Sequence, residues 1–383
     1  MNVPLLLGGA YLALLAGKAL LAWRYAARQP APPADPDFSA VTILQPILGG
    51  DPRLADTLAA NLAALPGARF LWLLDSEDTP GRAAARAALA RQPAAQVACV
   101  DCPPPPDGVN PKLHKLALAE PRVATPRLAV LDDDTTLPPA TLAALLAAVG
   151  RGAALATALP LYTHGRDWPS ALVGQFVNNQ SLLTYLPALV WQPPITINGM
   201  AYVLDTAAWR ATGGFAPLAR QLCDDLAVAR ALRAAGGVIY QARETVDVST
   251  TVHGTRHYRR LMHRWFVFAS LLLQGEPPAQ RAWLLGLHGL PPVLLWAALV
   301  AAALEATPRA LGGVAAVVVL RALLLSAAQR LLAGRSRHAP LASLLAELLQ
   351  PLHLLHAQLD RTIHWRARCY RVRSASAFFP VPP

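Results

Sequence analysis

Leu128–Pro139, with the sequence LAVLDDDTTLPP, is the stretch from which the fold of this chain can be worked out. Its first four residues are apolar and predict a buried strand, which Asp132, Asp133 and Asp134 follow directly. The chain has 23 acidic and 34 basic residues, so three acids at one strand end concentrate negative charge that must be offset. In α/β sheets, ligands bind beyond the carboxyl ends of the strands, and magnesium is held there by carboxylates together with substrate phosphates. The stretch therefore predicts a divalent-cation site at the edge of an α/β sheet.

A second interpretation of the same stretch is a turn that starts a helix. Pro138 and Pro139 precede an apolar run at 142–149, and an aspartate in such a turn often caps the next helix. The spacing of Asp132 and Asp134 favours the cation and indicates nucleotide-sugar chemistry. The stretch alone leaves both interpretations open, and Asp133, between the two predicted ligands, is assigned to capping.

The composition indicates a soluble domain joined to membrane segments. Of 383 residues, 54% are hydrophobic and 15% charged, and the mean hydropathy of +0.33 is high for an ordinary soluble protein. The net charge is +11, but the arginines gather beside apolar runs and do not alternate with aromatic residues on one face. This pattern favours contact with a membrane surface and with phosphate groups over contact with nucleic acid.

Three apolar segments predict helices that span a bilayer. Pro4–Trp23 contains one charged residue, Lys18, and at about 1.5 Å per residue its length matches a hydrocarbon core of about 30 Å. A cleaved signal peptide is the alternative, but the apolar run is long and no small-residue cleavage site follows it. The second predicted span is Trp283–Leu304 and the third is Ala310–Ala328, in which Arg321 needs a protein or headgroup partner.

The segment Leu341–Leu359 is less regular, because Pro351 interrupts it and Glu347 lies within it. It is predicted to be a re-entrant or interfacial helix, with a further span as the alternative. The tail Arg361–Arg373 is strongly basic, and the positive-inside rule puts such a segment in the cytoplasm. We therefore expect a multi-pass membrane protein whose soluble domain faces the cytoplasm.

The soluble domain is predicted to begin after a proline-rich linker at 29–39 and to alternate strands with helices. Its first predicted elements are the strand Val41–Leu44, the helix Leu54–Leu65, the strand Phe70–Leu74, the helix Arg82–Arg91 and the strand Val97–Val100. This alternation predicts a parallel sheet with crossover helices. The strand before the three aspartates is expected to join the sheet and the segment 153–158 to follow it, with a later strand at 199–204. The sequence has no glycine-rich dinucleotide or P-loop motif.

Two further segments carry charge in positions that matter. Asp224 and Asp225 open a helical pattern, where the helix dipole stabilises an acid, although two acids in succession indicate more than that. Arg256–Trp265, with the sequence RHYRRLMHRW, combines arginines and aromatic residues just ahead of an apolar run. This combination predicts an amphipathic helix lying in the membrane interface.

The motifs, taken in order, resemble the ceramide glucosyltransferases. The matching segments are VTILQPILGGDPRL from Val41, GVNPKLHKL from Gly108, LDDDTTLPPATL, INGMAYVL from Ile197, GGF, CDDLAVA and HRW. These membrane-anchored enzymes form glycosyltransferase family 21 within the glycosyltransferase 2 superfamily, and their bacterial relatives include hopanoid glycosyltransferases. The resemblance runs from about Val41 to Trp265 and resumes in the basic tail. It implies an α/β fold: a GT-A catalytic domain, Rossmann-like and nucleotide-sugar-binding, joined to a small helical transmembrane region in a bacterial inner membrane.

The family has three aspartate motifs, and the resemblance assigns each to a position in this chain. Asp75, at the end of FLWLLD, matches the first aspartate of the family, which helps to hold the nucleotide. A carboxylate in an ordinary turn is the alternative. Asp132 and Asp134 match the Asp-x-Asp pair that holds the diphosphate and a divalent cation, Mg²⁺ or Mn²⁺. Asp225 matches the third aspartate, which is the general base, and Asp224 beside it is assigned to the acceptor or diphosphate.

The remaining site predictions concern a lysine and the last motif. Lys112, in VNPKL, is predicted to contact the phosphates of the nucleotide sugar, with a solvated surface lysine as the alternative. Arg264 and Trp265 match the end of the family's Gln/Arg-x-x-Arg-Trp motif and are predicted to contact the acceptor or the diphosphate. Leu261 stands where the family has Arg or Gln, and Arg260 lies about 100° of helical rotation away from that face. The departure affects how the acceptor or diphosphate is held.

The resemblance implies an inverting enzyme that moves a hexose, with glucose preferred, from a UDP-sugar to the hydroxyl of ceramide or a ceramide-like membrane lipid. The alternatives are a processive polysaccharide synthase, a hopanoid glycosyltransferase and an inactive, membrane-anchored nucleotide-sugar-binding protein. The predicted divisions are an anchor (1–28), a linker (29–39), the GT-A domain (40–255), an interface helix (256–280), two transmembrane helices (281–332) and a re-entrant or interfacial helix with the basic tail (333–383).

Overall fold

The computed structural model describes residues 2–163, 167–365 and 368–381. The strands in these residues form two separate sheets. The larger sheet contains β1 (Val41–Ile47), β2 (Arg69–Asp75), β3 (Val97–Cys102), β4 (Arg127–Leu131), β5 (Thr135–Thr136), β6 (Leu155–Tyr162), β7 (Ala201–Asp205) and β8 (Ile239–Val248). The smaller sheet contains β9 (Thr362–Trp365), β10 (Arg368–Val372) and β11 (Phe378–Val381).

The helices fall into those around the larger sheet and those of the C-terminal half. The first group, with the N-terminal helix, is α1 (Val3–Ala26), α2 (Leu54–Ala64), α3 (Thr79–Arg91), α4 (Pro111–Ala119), α5 (Pro139–Gly150), α6 (Trp168–Gln180), α7 (Leu186–Ala188), α8 (Thr206–Ala211) and α9 (Asp224–Ala234). The second is α10 (Gly254–Gln274), α11 (Pro278–Leu284), α12 (Leu290–Glu305), α13 (Pro308–Ala333), α14 (Pro340–Leu348) and α15 (Gln350–Leu359). Single π-helical turns join α6 to α7 and α11 to α12.

The first half of the large sheet is parallel, as the alternation of strands and helices predicts. Its order is β3-β2-β1-β4, and each neighbouring pair runs in the same direction. Every residue of β1 is buried, which is typical of a parallel strand covered on both faces. The carboxyl ends of these strands share one edge, so Asp75, the last residue of β2, and Asp132, just after β4, lie on the same side of the sheet.

The second half of the sheet is mixed, which corrects the expectation of a parallel sheet. The strand predicted at 153–158 is β6, but β7 lies between β4 and β6 and is antiparallel to both. Leu131, at the end of β4, pairs with Ala201, at the start of β7. This reversed direction brings the loop before β7 to the edge where the aspartates emerge, and the Asp132 N–H donates to the Met200 carbonyl at 2.9 Å.

Three helical segments among the described residues are long and apolar enough to cross a membrane: α1, α11–α12 taken together, and α13. The three segments predicted from the sequence lie within them. The end of α1 is attached to β8, because the Tyr25 hydroxyl and the Gln29 amide both donate to the Gln241 carbonyl, at 3.0 and 2.9 Å. Gln29 also accepts the Arg243 backbone N–H at 2.8 Å. The proline-rich linker is thus fixed at its start.

Arg321 has the protein partner that its position in an apolar helix requires. Its guanidinium forms an ion pair with Glu347 of α14 at 2.6 Å and donates to the Ser343 carbonyl at 3.0 Å. The Tyr11 hydroxyl of α1 donates to the same Glu347 carboxylate. The side chain of Arg321 is 1% exposed, so the cluster is closed to solvent and joins three helices.

The segment predicted as one helix at 341–359 is two helices. α14 ends at Leu348 and α15 begins at Gln350, with Pro351 in its first turn. Proline lacks the N–H that a continuous helix would need at that position. Neither helix alone is long enough to cross a hydrocarbon core of about 30 Å. The basic tail then contributes β9 and β10, and its residues 366–367 lie outside the described part of the chain.

Two other local predictions change. Asp133 does not cap α5, whose N-cap residue is Pro138 and has no side-chain cap. The short strand β5 separates Asp133 from the helix. The Asp133 carboxylate instead accepts the Leu48 N–H at 2.6 Å. The interface helix predicted over 256–280 is α10, which ends at Gln274 because Gly275 and a Pro-Pro pair follow.

Candidate active site

Four carboxylates and one ammonium group meet at the carboxyl edge of the sheet. Asp132 and Asp134 follow β4, Asp224 and Asp225 begin α9, and Lys112 lies in the first turn of α4. All five side chains line one cavity of about 990 Å³. The structure therefore brings together five of the residues that the sequence singles out.

Lys112 holds two of the carboxylates. Its Nζ atom lies 2.7 Å from Asp132 and 2.9 Å from Asp224, and it donates to the Gly199 carbonyl at 2.9 Å. The helix starts at this point because the Asn110 side chain accepts the Lys112 backbone N–H. Burial alone lowers the pKa of Lys112, but the two carboxylates outweigh it and raise the pKa well above its usual value. This lysine is a fixed charge, unlike the solvated surface lysine of the alternative interpretation.

The Asp-x-Asp carboxylates have raised pKa values. Asp134 accepts the Thr250 hydroxyl at 2.5 Å and the Thr135 hydroxyl at 3.1 Å, yet burial raises its pKa against these bonds. Burial also raises the pKa of Asp132, to about 6, because the neighbouring aspartate charges add to it and the ion pair with Lys112 only partly opposes it. Ionisation of either group therefore carries an energetic cost.

Asp225 lies in the first turn of α9 but does not act as its cap, since the N-cap residue is Cys223 and has no side-chain cap. The Asp225 carboxylate accepts the Leu226 N–H at 2.7 Å and the Cys223 thiol at 3.2 Å. Burial and the charge of Asp224 nevertheless raise its pKa to about 6. A carboxylate with such a pKa, open to a cavity, is suited to accept a proton near neutral pH.

The donor set fits a divalent cation. The described lining residues include five half-buried aspartates, the four above and Asp133, and two permanently cationic side chains, Lys112 and Arg264. Carboxylate oxygens are the ligands that Mg²⁺ and Mn²⁺ prefer. A cation at Asp132 and Asp134 would offset the like charges that raise the pKa of Asp132.

Asp75 occupies the same edge of the sheet but is not among the described lining residues of the cavity. Its carboxylate forms an ion pair with Lys115 at 3.0 Å, and the Lys115 Nζ atom also donates to the Ile47 carbonyl at 2.8 Å. Lys115 is 1% exposed, so this pair is part of the packed domain. The nucleotide-binding role of Asp75 stays a prediction.

Arg264 and Trp265 enter the cavity wall from α10. The indole of Trp265 stacks against Phe176, with ring centroids 6.2 Å apart, and meets Tyr162 edge to face at 6.4 Å. Phe176 therefore covers part of the indole surface that stacking on a sugar would use. The position of Trp265 is fixed by these two rings, and its contact with a ligand stays a prediction.

Leu261 belongs to the apolar part of the same wall and is 8% exposed. Arg260 is not among the described lining residues, so it does not replace the family's Arg or Gln. Further apolar side chains come from the second candidate membrane segment and α15: Leu284, Leu285, Pro292, Val293, Leu354 and Leu355. The cavity thus extends from the carboxylates to the candidate membrane helices.

Sequence reasoning did not single out Thr250 or Gly199. Thr250 follows β8 and belongs to no motif, so only the fold reveals its bond to Asp134. Gly199 lies in the segment INGMAYVL, and a Cβ atom there would be 3.3 Å from the Asp225 Cβ. The glycine therefore allows the loop before β7 to approach α9 closely.

Comparison with known proteins agrees with this geometry. The model of a family described as "Glycosyl transferase family 21" matches residues 6–378. No curated protein matches the chain significantly. The mannosyltransferase PcManGT from Pyrobaculum calidifontis, solved in complex with GDP-Man and Mn²⁺, has a TM-score of 0.51 and 17% identity, covering 93% of this chain and 98% of that one. A mycobacterial protein gives a TM-score of 0.34 and 12% identity, over 64% and 76%. The first likeness confirms the predicted α/β glycosyltransferase fold.

Proposed function

The chain belongs to glycosyl transferase family 21, and from this membership we propose that it is an inverting, metal-dependent enzyme that transfers a hexose, preferably glucose, from a UDP-sugar to a lipid hydroxyl. The acceptor in this proposal is ceramide or a ceramide-like lipid. The family membership and the fold support glycosyl transfer itself. The donor sugar, the acceptor and the metal requirement are the proposed part.

One observation carries the lipid acceptor: the cavity that contains the carboxylates is also lined by side chains of α12 and α15. Leu285, Pro292 and Val293 belong to the second membrane segment, and Leu355 extends the same apolar wall. A lipid with its chains along this wall has its hydroxyl directed toward the carboxylates. A water-soluble acceptor would leave this apolar wall exposed to water, which is unfavourable.

The reaction assigns distinct tasks to the two pairs of aspartates. Asp225 accepts the proton of the acceptor hydroxyl as that oxygen attacks the anomeric carbon from the side opposite the diphosphate. The bond from the anomeric carbon to the diphosphate oxygen breaks, and its electron pair leaves with UDP. Asp132 and Asp134 would hold a divalent cation, which when bound would neutralise charge on the diphosphate. Lys112 and Arg264 add fixed positive charge on the same side.

The donor side of the proposal has support from the neighbouring structure, since PcManGT holds a nucleotide sugar together with Mn²⁺. Replacement of Asp134 by asparagine tests the cation site directly. We expect Mn²⁺-dependent binding of UDP, measured by calorimetry, to be lost, because one anionic ligand and its charge are removed. Asp35→Asn, an exposed change in the linker, is the matched control. Unchanged Mn²⁺-dependent binding in Asp134→Asn would contradict the assignment.

The whole function is tested with the full chain in lipid nanodiscs. Radiolabelled UDP-glucose, UDP-galactose and GDP-mannose are each supplied with ceramide, diacylglycerol or a hopanoid, and label in the organic extract is measured. We expect label from UDP-glucose in the ceramide sample and none with Asp225→Asn. A labelled hopanoid or diacylglycerol would change the acceptor, whereas a water-soluble product of high mass would identify a polysaccharide synthase. No labelled product from any pair would refute the proposal.

We further propose a multi-pass topology with the catalytic domain in the cytoplasm. The three long apolar helices support membrane association. Arg330 in the last turn of α13, with Arg335 and Arg337 just after the helix, supports a cytoplasmic location for its C-terminal end. Labelling of the exposed Cys99 thiol with an impermeant maleimide tests this. Cys99 should react only after the membrane is opened, and reaction in sealed cells would reverse the orientation.

A further inference from the structure

A second cluster of metal-ligating side chains lies outside the cavity, between α10 and the end of α15. It consists of His263, His356 and Asp360, and the potential ligand atoms of these three residues all lie within 4.8 Å of one another. None of the three is among the described lining residues of the cavity. The cluster is thus separate from the aspartates assigned to the donor.

The sequence explains why the three side chains meet. Asp360 is the C-cap residue of α15, and its backbone N–H donates to the His356 carbonyl at 2.9 Å, which holds the two residues close together. His263 is on the buried side of α10 and is 4% exposed. The rings of His263 and His356 lie 4.1 Å apart between centroids. Three ligands from two elements converge without any strained backbone.

The buried histidine has no other evident role. Neither ring nitrogen of His263 has a hydrogen-bond partner of ordinary geometry among the described residues, and a buried polar atom left in this way is costly. Imidazole nitrogens and a carboxylate oxygen are ordinary ligands of divalent transition metals.

We propose that His263, His356 and Asp360 bind a zinc ion that clamps α10 to the C-terminal segment. Two imidazoles and one carboxylate suit zinc, with a water molecule as the fourth ligand. Magnesium requires a set of oxygen ligands and does not suit this site. The site therefore discriminates between the two metals, with zinc here and an oxygen-preferring cation at the aspartates.

The clamp has a consequence for the neighbouring cavity. His263 immediately precedes Arg264 and Trp265, and α15 contributes Leu354 and Leu355 to the apolar wall. Zinc bound between the two helices fixes the positions of Arg264 and Trp265 relative to those of Leu354 and Leu355. His263, His356 and Asp360 are positioning residues in this scheme and contact no substrate.

The test uses full-length protein purified without a polyhistidine tag, loaded with Zn²⁺ and then dialysed against metal-free buffer. Zinc is counted by mass spectrometry and the melting temperature is measured with and without a zinc chelator. Variants at the two more exposed ligands, His356→Gln and Asp360→Asn, avoid disturbance of the core. The control is His253→Gln, because His253 is an exposed histidine on a stacked pair near the start of α10. A Co²⁺-loaded sample is also examined for the intense visible absorption of a tetrahedral site.

We expect one zinc ion per chain in the wild type and the control, and a melting temperature that the chelator lowers. Loss of a residue that only supports a metal ligand lowers metal affinity by roughly 10- to 100-fold, so each ligand variant should lose at least that much zinc affinity. The melting temperature of each variant should not respond to the chelator. Asp134→Asn should retain the zinc, which separates this result from the proposed transfer reaction. Wild-type protein that retains no more zinc than His356→Gln would overturn the proposal.

Discussion

Two charge clusters in this molecule differ in how well their carboxylates are matched by cations. Around Arg321, the single carboxylate, that of Glu347, is matched by the Arg321 guanidinium, and the buried Lys18 interacts with it as well. At the sheet edge, four aspartates outnumber the nearby cations and open to a large cavity. In the balanced cluster around Arg321, the carboxylate already has its cationic partners. The unbalanced cluster at the sheet edge keeps an excess of negative charge, which a bound cation would neutralise. The difference indicates which cluster stabilises the fold and which performs chemistry.

The largest expected effect comes from the unbalanced cluster. Asp225→Asn should lower the rate of transfer by about 10² to 10⁴-fold, the usual contribution of general-base catalysis. UDP-sugar binding should remain, because the asparagine keeps the shape of the site. Rates are measured by radiolabel transfer and binding by calorimetry, with Asp35→Asn as the control. Loss of binding together with the rate would mean that Asp225 is not the base.

The balanced cluster should respond in stability. Glu347→Gln leaves the Arg321 charge buried without its partner, and removal of one member of such a pair typically costs about 3–5 kcal/mol. Arg321→Met combined with Glu347→Leu removes both charges and should recover most of the loss. Melting in detergent measures this, with Glu305→Gln at the exposed end of α12 as the control. A double variant no more stable than Glu347→Gln alone would contradict the comparison.

The pH dependence of transfer should reveal the raised pKa of Asp225, which is about 6 compared with 3.8 for an unperturbed aspartate. The ionised form is the base, so activity is full above pH 6 and falls about tenfold per pH unit below it. The same shift means that ionisation of Asp225 costs stability as the pH rises through this range. Without metal, Asp225→Asn should therefore gain stability relative to the wild type at pH 8 but not at pH 4. Activity that falls only near pH 4 would contradict the assignment of Asp225 as the base.

The smallest expected effect lies at the apolar end of the cavity. Leu261→Gln restores the polar side chain of the family motif but puts an amide in a wall that contacts the acceptor. A change of one contact in an apolar pocket is worth roughly 1–3 kcal/mol, so we expect the KM for lipid to change by about tenfold with little change in kcat. Lipid titrations in nanodiscs measure both. A large fall in kcat would place Leu261 beside the reacting atoms and remove the contrast between the two ends.

Sequence reasoning succeeded where structure is determined locally. The alternation from Val41 to Val100 specifies the parallel half of the sheet, because each strand and its crossover helix are neighbours along the chain. The position and direction of β7 were not accessible in this way, since the segment INGMAYVL indicates a strand but not its neighbours. The antiparallel insertion depends on packing across the whole sheet.

The candidate site follows the same rule. The aspartates were found from their motifs, and the need of Arg321 for a partner was evident from its apolar surroundings. The identity of that partner was not, because Glu347 lies beyond an intervening turn in another helix. Thr250 and the cluster of His263, His356 and Asp360 were likewise missed, as each depends on side chains that meet only in the folded chain.

The bonds between Gln29 and β8 have a mechanical meaning for the whole enzyme. Tyr25 and Gln29 are bonded to the backbone of β8. The catalytic domain is therefore attached directly to the end of α1 and not through a flexible linker. Its height above a bilayer is then a constant of the molecule. Extra residues added to the proline-rich segment would enlarge a loop without lengthening the reach of the site. For the proposed lipid acceptor, this means that the acceptor hydroxyl, and not the site, has to cover the remaining distance.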